Sequence, residues 1–322
     1  MGRYLLRRLG FAVLLVFVVS SSALLLTQVA PGDITSGEAI GMDPETRARL
    51  RAELGLDRPI AVQYASWLRG VAQLDFGRSL LYSRPVNSLL RERALNTAVL
   101  ASAAIVVATL IGLPLGVYSG SRPRGIGRAA VRVISIAGLS VPPLVGSIAL
   151  VYLAARTGWF PAGGMSSAAS LDLAWGPWLA DLGSHMPIPV MALALPLAAS
   201  LERLQSHAIA GASRQPFVAA SRARGLTERG ALVRHAWPAS LRPLLGLYGV
   251  MIGSLFSGSF VVEVVTSWPG LGRLMYDALR ARDLYLVAGC AATGAVFLAV
   301  GTLIADVLLA IADPRVRVEG RT

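Results

Sequence analysis

The residues best suited to binding chemistry are concentrated in one short stretch, FVAASRARGLTERGALVRHAWP, which runs from Phe217 to Pro238. We call it the basic segment, because it holds four arginines and a histidine against a single glutamate. Arginine carries a permanent charge and five hydrogen-bond donors. The segment is therefore suited to contact with a partner surface.

The residue types within the basic segment predict a short helix, a turn and a second helix. The first helix is predicted over Phe217–Arg224, and Gly225 supplies the left-handed residue that ends it. Thr227 is predicted to cap a second helix that starts at Glu228, an acid well placed in a first helical turn.

Small and charged side chains alternate along this segment. Ala219, Ala220 and Ala223 leave little bulk, so a partner surface could approach the first helix closely. The cations that surround this small patch are Arg222, Arg224, Arg229 and Arg234.

Motifs of catalysis are missing from the sequence. There is no G-x-x-x-x-G-K-[ST] loop to hold the phosphates of ATP and no G-x-S-x-G motif. The single cysteine, Cys290, excludes disulfides and cysteine-based zinc sites. Three histidines, which the topology below places on different sides or levels of a membrane, are not expected to share a metal: His185, His207 and His235. Glu263 is the candidate for contact with a transported substrate, and Asp306 is a weaker one.

The elements that position these residues follow from the apolar runs. The chain is 54% hydrophobic and 15% charged, which is too apolar for ordinary soluble domains. Six windows of roughly 20 residues contain no Asp, Glu or Arg, and each can cross the hydrocarbon core as a helix. They are Leu9–Ala30, Asn96–Gly120, Val133–Ala155, Leu182–Leu201, Pro243–Val262 and Leu284–Ala305. We therefore predict an all-α polytopic membrane protein with six transmembrane helices.

The placement of arginine predicts the orientation of these helices. With both termini in the cytoplasm, the inside segments hold 17 of the 30 basic residues and five of the 18 acids. The outside segments then hold 13 of each, so the whole net charge of +12 lies inside. A cleavable signal peptide is the alternative for residues 1–30, and the length of the apolar run disfavours it.

The segments between the spans differ in character. Residues 1–30 are predicted to hold the cytoplasmic N-terminus and the first span, residues 31–95 an external cap with a helix between Pro44 and Gly55, and residues 96–322 the membrane core. A cytoplasmic loop over residues 205–242 contains the basic segment. Three tryptophans in the second external segment are predicted to anchor at the membrane interface, with ligand stacking as the alternative: Trp159, Trp175 and Trp178.

Two other functions could account for a basic segment between two spans. A loop that only fixes membrane orientation needs charge alone, whereas this segment also has small residues, a helix-ending glycine and a cap. A DNA-binding helix–turn–helix is disfavoured, because about 40 residues between two spans leave no room for a third supporting helix.

The run FVAASRARGLTERGALVRHAWPASLRP resembles the coupling loop of ABC-transporter permeases, specifically of the dipeptide, oligopeptide and nickel branch. The positions that match the pattern of this branch are Phe217, Val218, Arg222, Ala223, Gly225, Leu226, Arg234 and His235. The segments that resemble the branch elsewhere, in order, are RYLLRRLG with QVAPGD, LGLDRPIAVQYASWL, LDFGRSL, GLPLGV, LALPL, VVEVVTSWPGLGRLMYDAL and ADPRVR. The positions that depart from the pattern are Ala219, Ser221, Arg224 and Ala239.

The resemblance implies a subunit of an importer in the bacterial cytoplasmic (inner) membrane. A second homologous permease would complete the pathway, two ATPase subunits would bind ATP and Mg²⁺ below it, and an extracytoplasmic solute-binding protein would deliver cargo. No cofactor, catalytic residue or nucleic acid is implied for this chain. The residues that would contact the ATPase are Phe217, Val218, Ala219, Ala220, Arg222, Ala223, Arg224, Gly225, Leu226, Arg234 and His235.

A different class of function remains as the alternative. A self-sufficient secondary carrier or a membrane enzyme would need no ATPase, but secondary carriers typically have inverted repeats and polar sites at the bilayer midplane. Neither is found in this sequence. The cargo is left open among dipeptides, longer peptides, nickel complexes and related small solutes.

Overall fold

The computed structural model describes residues 2–29, 57–122, 124–167 and 174–312, together with four separate positions (45, 48, 49 and 52). The regular elements of these residues are helices, as predicted. They are α1 Gly2–Val29, α2 Ile60–Ala72, α3 Val86–Ser121, α4 Ile126–Ser140, α5 Pro143–Thr157, α6 Trp175–His185, α7 Pro187–Ala212, α8 Pro216–Ala223, α9 Glu228–Ala231, α10 Trp237–Val265, α11 Leu271–Ala281 and α12 Leu284–Ala312. The helix predicted between Pro44 and Gly55 lies largely outside the described residues.

Helices long and apolar enough to cross a membrane are numerous in the part of the chain that the structure describes. Four of them qualify individually, and six candidate spans result if two bent helix pairs are each counted as one. The four are Arg7–Thr27, Val86–Ser121, Pro187–Ala212 and Leu284–Ile304. The bent pairs are α4 with α5, at 104°, and Glu228–Gly253 with Gly258–Val265, at 50°.

The break between α4 and α5 is larger than the sequence indicated. The sequence predicted one span over Val133–Ala155, but α4 ends at Ser140 and the chain turns by 104° before α5. Val141 is extended (φ −90°, ψ 113°), because the residue before a proline is excluded from the helical region. Pro143 then begins α5 at a position where a helix tolerates proline.

The chain divides into two compact units. One comprises Ala98–Trp268 and the described residues from Val300; the other comprises Gly2–Thr97 and Pro269–Ala299. In the first unit α7 packs against α4, α5 and α10, around a core that includes Leu193, Leu201 and Leu255.

Three glycines at four-residue spacing allow α3 to approach α7 closely. A Cβ at Gly112 would lie 2.6 Å from the carbonyl oxygen of Ala198, and one at Gly116 would lie 2.6 Å from the Cβ of Gln205. At Gly120 a Cβ would meet the carbonyl oxygen of Ser206. Such small-residue stripes let helix backbones come together where lipid supplies no hydrophobic driving force between them.

In the second unit, the described part of the segment before α3 is folded. Trp67 of α2 is buried in an apolar cluster with Leu24 of α1 and Ala288 of α12. Tyr64 stacks on Trp67 and donates a hydrogen bond of 2.9 Å to the hydroxyl of Ser21. These two aromatic side chains thus pack α2 against two long helices.

A buried carboxylate at the start of α12 organises the turn before α3. Asp283 is fully buried, and its Oδ2 accepts hydrogen bonds from the Ser79 hydroxyl (2.6 Å) and from the amides of Leu80 (2.7 Å) and Leu81 (3.1 Å). Its Oδ1 accepts from the amide of Leu286 at 3.2 Å and so caps α12. One side chain therefore joins two segments some 200 residues apart in the chain.

Replacing this carboxylate by the isosteric amide is expected to destabilise the fold. In Asp283→Asn the atom that faces the three donors is either an uncharged carbonyl oxygen or an NH2 group that cannot accept their hydrogen bonds. We therefore expect the free energy of unfolding to fall by about 2 kcal/mol. Thermal unfolding of the detergent-solubilised chain measures this loss. The exposed Asp75, which accepts from the Gly77 amide, is the control, and Asp75→Asn should change stability by less than about 1 kcal/mol. Equal losses in the two variants would contradict the role given to Asp283.

Candidate coupling surface

The basic segment forms a short helix whose two ends are defined by local chemistry. Pro216 occupies the first turn of α8, where its missing amide proton costs nothing. At the other end the Gly225 amide donates to the Arg222 carbonyl at 2.9 Å, and the Leu226 amide donates to the Ser221 carbonyl at 3.2 Å. This pair of bonds is a Schellman motif, which requires a left-handed residue, and Gly225 has φ +94°.

The second predicted helix is present and begins at Glu228, as expected. The Thr227 hydroxyl accepts a hydrogen bond of 3.1 Å from the Gly230 amide, so the predicted cap is confirmed. The helix from Glu228 continues through a π-helical turn, Leu232–Ala236, into the long helix α10. π turns of this kind are frequent at functional sites. The basic segment is thus continuous with a membrane-length helix at its C-terminal end.

A small apolar cluster holds α8 in place. Val218 is fully buried and packs with Ile209 of α7, Ala231 of α9 and Ala236 of the π turn. Leu226, the residue after the left-handed glycine, packs against the same cluster. α8 is therefore in direct contact with the end of α7 and with the turn that leads into α10.

The opposite face of α8 is exposed and made of small residues. Phe217 is 46% exposed, and Ala219, Ala220 and Ala223 are exposed beside it. The exposed cations around this face are Arg222, Arg224, Arg229 and Arg234. Glu228 is the only acid of the segment, and it lies 3.5 Å from Arg222. The surface is a positively charged projection with a shallow small-residue face, which suits docking into a cleft of another protein.

The structure separates the predicted contact residues into two groups. One group forms the exposed face and its rim: Phe217, Ala219, Ala220, Arg222, Ala223, Arg224, Gly225 and Arg234. The other supports that face from behind, since Val218 is buried and Leu226 and His235 are partly buried. Ser221, also buried, was missed by sequence reasoning; its hydroxyl donates to the Val218 carbonyl at 2.7 Å. The only sequence signal for the burial of Ser221 is its helical spacing from Val218, which places the two residues on the same face of α8.

The other sequence candidates lie apart from this surface. Glu263 is fully buried in the last turn of α10. Of the three predicted tryptophans, Trp159 and Trp175 are 76% and 83% exposed and Trp178 is partly buried, and their role at a membrane interface stays a prediction. Among the described residues, no group of three or more His, Cys, Asp or Glu side chains is placed to hold a metal ion.

Several membrane-length helices, with an exposed and positively charged segment between two of them, define the class of this chain as a membrane component. Family comparison agrees with this class. The model of the binding-protein-dependent transport system inner membrane component matches residues 112–318, and the N-terminal model of the same membrane component matches residues 1–87. The chain belongs to this family, and it is a multi-pass inner membrane permease.

Individual relatives cover almost the whole chain. It is 32% identical over 322 residues to the oligopeptide transport system permease protein AppB of Bacillus subtilis, with 98% of this chain and 99% of the relative covered. It is 31% identical over 320 residues to the dipeptide transport system permease protein DppB of Lactococcus lactis, with 98% and 100% covered. The resemblance to ABC permeases is therefore confirmed, and the family is one of transport components, not of catalysts.

Proposed function

We propose that this chain is one transmembrane subunit of an ATP-driven importer of dipeptides, oligopeptides or related small solutes. The names of the two relatives above support peptides as the cargo class. The observation that carries the proposal is the structure of the basic segment. One face of α8 has exposed small residues and exposed arginines near it, and Val218 on the other face is buried in the apolar cluster.

In this proposal the chain crosses the membrane six times with both termini in the cytoplasm. The candidate spans are α1, α3, the α4–α5 pair, α7, α10 and α12, which support the count of six. The excess of arginine over acid on alternate segments supports the orientation. The basic segment, between α7 and α10, then faces the cytoplasm.

The exposed face of α8 docks into a cleft of an ATPase subunit. A second homologous permease completes the pathway, two ATPases bind ATP and Mg²⁺, and an extracytoplasmic solute-binding protein delivers the cargo. When ATP binding draws the ATPases together, α8 moves with them. Because Val218 packs on Ile209 and Ala236, that motion reaches α7 and α10 and tilts the spans between inward-open and outward-open states.

Site-directed cross-linking tests this docking. The native cysteine, Cys290, is buried, so single cysteines can be placed on an almost silent background. Ala219→Cys and Ala223→Cys, carrying a short photo-activated cross-linker, are expected to link to an ATPase subunit in native membranes. A cysteine at Val250, which is 68% exposed on α10, is the matched control and should give no such product.

Two results would overturn the proposal. The first is cross-linking of positions 219 and 223 to lipid alone or to nothing. The second is peptide transport by this chain alone in liposomes without ATP, which would favour a self-sufficient carrier instead.

A further inference from the structure

Two buried polar side chains stand on α7 just before the basic segment. Glu202 is 3% exposed and Gln205 is fully buried, and the two are three residues apart on one face of the helix. Burying a carboxylate or an amide is costly unless it is hydrogen-bonded. Polar groups inside a helix bundle of a membrane protein are accordingly a sign of function.

Each of these side chains bonds to a different helix. The Ser119 hydroxyl of α3 donates to Oε1 of Glu202. Nε2 of Gln205 donates to the Ser240 hydroxyl of α10 at 2.9 Å. Three helices, α3, α7 and α10, are thus joined by two side chains that are one turn apart on α7.

The two bonds lie at a close helix contact and next to the anchor of α8. A Cβ at Gly116 of α3 would lie 2.8 Å from the carbonyl oxygen of Glu202, so α3 and α7 touch at backbone level here. One turn further along α7, Ile209 packs against Val218 of the basic segment. The chain of contacts from α8 therefore reaches the bond of Gln205 one turn along α7 and the bond of Glu202 about two turns along it.

We infer that Glu202 and Gln205 are positioning residues that make α3, α7 and α10 move as one rigid body when the basic segment is displaced. Apolar contacts between helices allow sliding, whereas a buried hydrogen bond fixes the register of the two helices that it joins. The inference rests on the proposed function, since it concerns how a displacement of α8 by the ATPase reaches the membrane-spanning helices.

Spin-label distances between α3 and α10 test the inference. Labels go at Leu110→Cys and Val250→Cys, which are 69% and 68% exposed, with Cys290→Ala throughout. The chain is measured in nanodiscs with its copurified ATPases, once nucleotide-free and once trapped with Mg-ATP and vanadate. In the otherwise unaltered chain the two distance distributions should coincide, because the helices move together.

The variant that breaks both bonds is Glu202→Leu with Gln205→Leu. It should fold, since a leucine replaces each polar side chain at similar volume and Ser119 keeps a second acceptor, the Gly116 carbonyl. We expect its nucleotide-free and trapped distributions to differ by about 2 Å or more, the size of helix shifts in switching proteins. The single variants should show the same effect more weakly, and Glu202→Gln, which can still accept from Ser119, should behave as the unaltered chain.

The control removes a hydroxyl bond that does not leave α7. In Ser200→Ala the bond lost is the one from the Ser200 hydroxyl to the Pro196 carbonyl, and the distributions should still coincide. A distance that changes on trapping in the unaltered chain, or one that does not change in the double variant, would overturn the inference. Failure of an ATPase to copurify with the unaltered chain would instead contradict the proposed function.

Discussion

ATP-driven uptake of a radiolabelled dipeptide is expected to fall at least about tenfold in Gly225→Val, while the amount of chain in the membrane is unchanged. Gly225 has φ +94°, a backbone conformation that a β-branched residue essentially never adopts. Nothing lies within 4 Å of a Cβ built at this position, so the effect comes from the backbone and not from a clash. The valine must leave the left-handed region, which breaks the Schellman motif and turns the exposed face of α8 away from the proposed ATPase cleft.

Two further variants separate this cause from a general effect of added bulk. Gly211 lies in the last turn of α7 with open space around its Cα and an ordinary helical backbone, so Gly211→Val should import at close to the normal rate. Gly225→Asn should lie between the two valine variants, because asparagine tolerates the left-handed region better than other residues with a Cβ. Import by Gly225→Val at the normal rate would contradict the coupling role of the basic segment.

Local backbone chemistry was predictable from the sequence. The glycine that ends α8 and the threonine that caps the next helix were both identified from their types and spacing, because each acts on amides within four residues of itself. The apolar windows located the long helices for a similar reason, since lipid requires about 20 apolar residues wherever a helix crosses. Neither prediction required knowledge of distant contacts.

What depends on distant contacts was not predictable. Val218 and Ala219 are adjacent small apolar residues, yet one is buried and the other exposed, because only Val218 meets Ile209 from α7. Glu202 is one of the five acids that the predicted topology counts on the cytoplasmic side, and its burial against Ser119 follows from the close approach of α3. The π turn before α10 has no recognisable sequence signal. The orientation of the helices and the ATPase contacts remain predictions.

The close approach of α3 and α7 leads to the largest expected loss of stability, in Gly116→Leu. A Cβ at position 116 would lie 2.6 Å from the Cβ of Gln205 and 2.8 Å from the carbonyl oxygen of Glu202. The carbonyl belongs to a helix backbone and cannot move aside, so α3 must separate from α7 to admit the side chain. Overpacking of this kind, with the loss of the bond between Ser119 and Glu202, should cost about 4 kcal/mol. Thermal unfolding of the detergent-solubilised chain measures it.

Alanine at the same position gives a second test, in which the direction of the change in unfolding temperature decides the outcome. In an open helix interior, Gly→Ala stabilises by up to about 1 kcal/mol, because alanine restricts the unfolded chain more than glycine does. Gly246 of α10 is exposed with nothing within 4 Å of an added Cβ, so Gly246→Ala should raise the unfolding temperature or leave it unchanged. Gly116→Ala should lower it, since the clash at 2.6 Å outweighs the helix preference. Stabilisation by both variants would mean that α3 and α7 do not touch at backbone level, and the polar bonds proposed to join the helices would then lose their geometric basis.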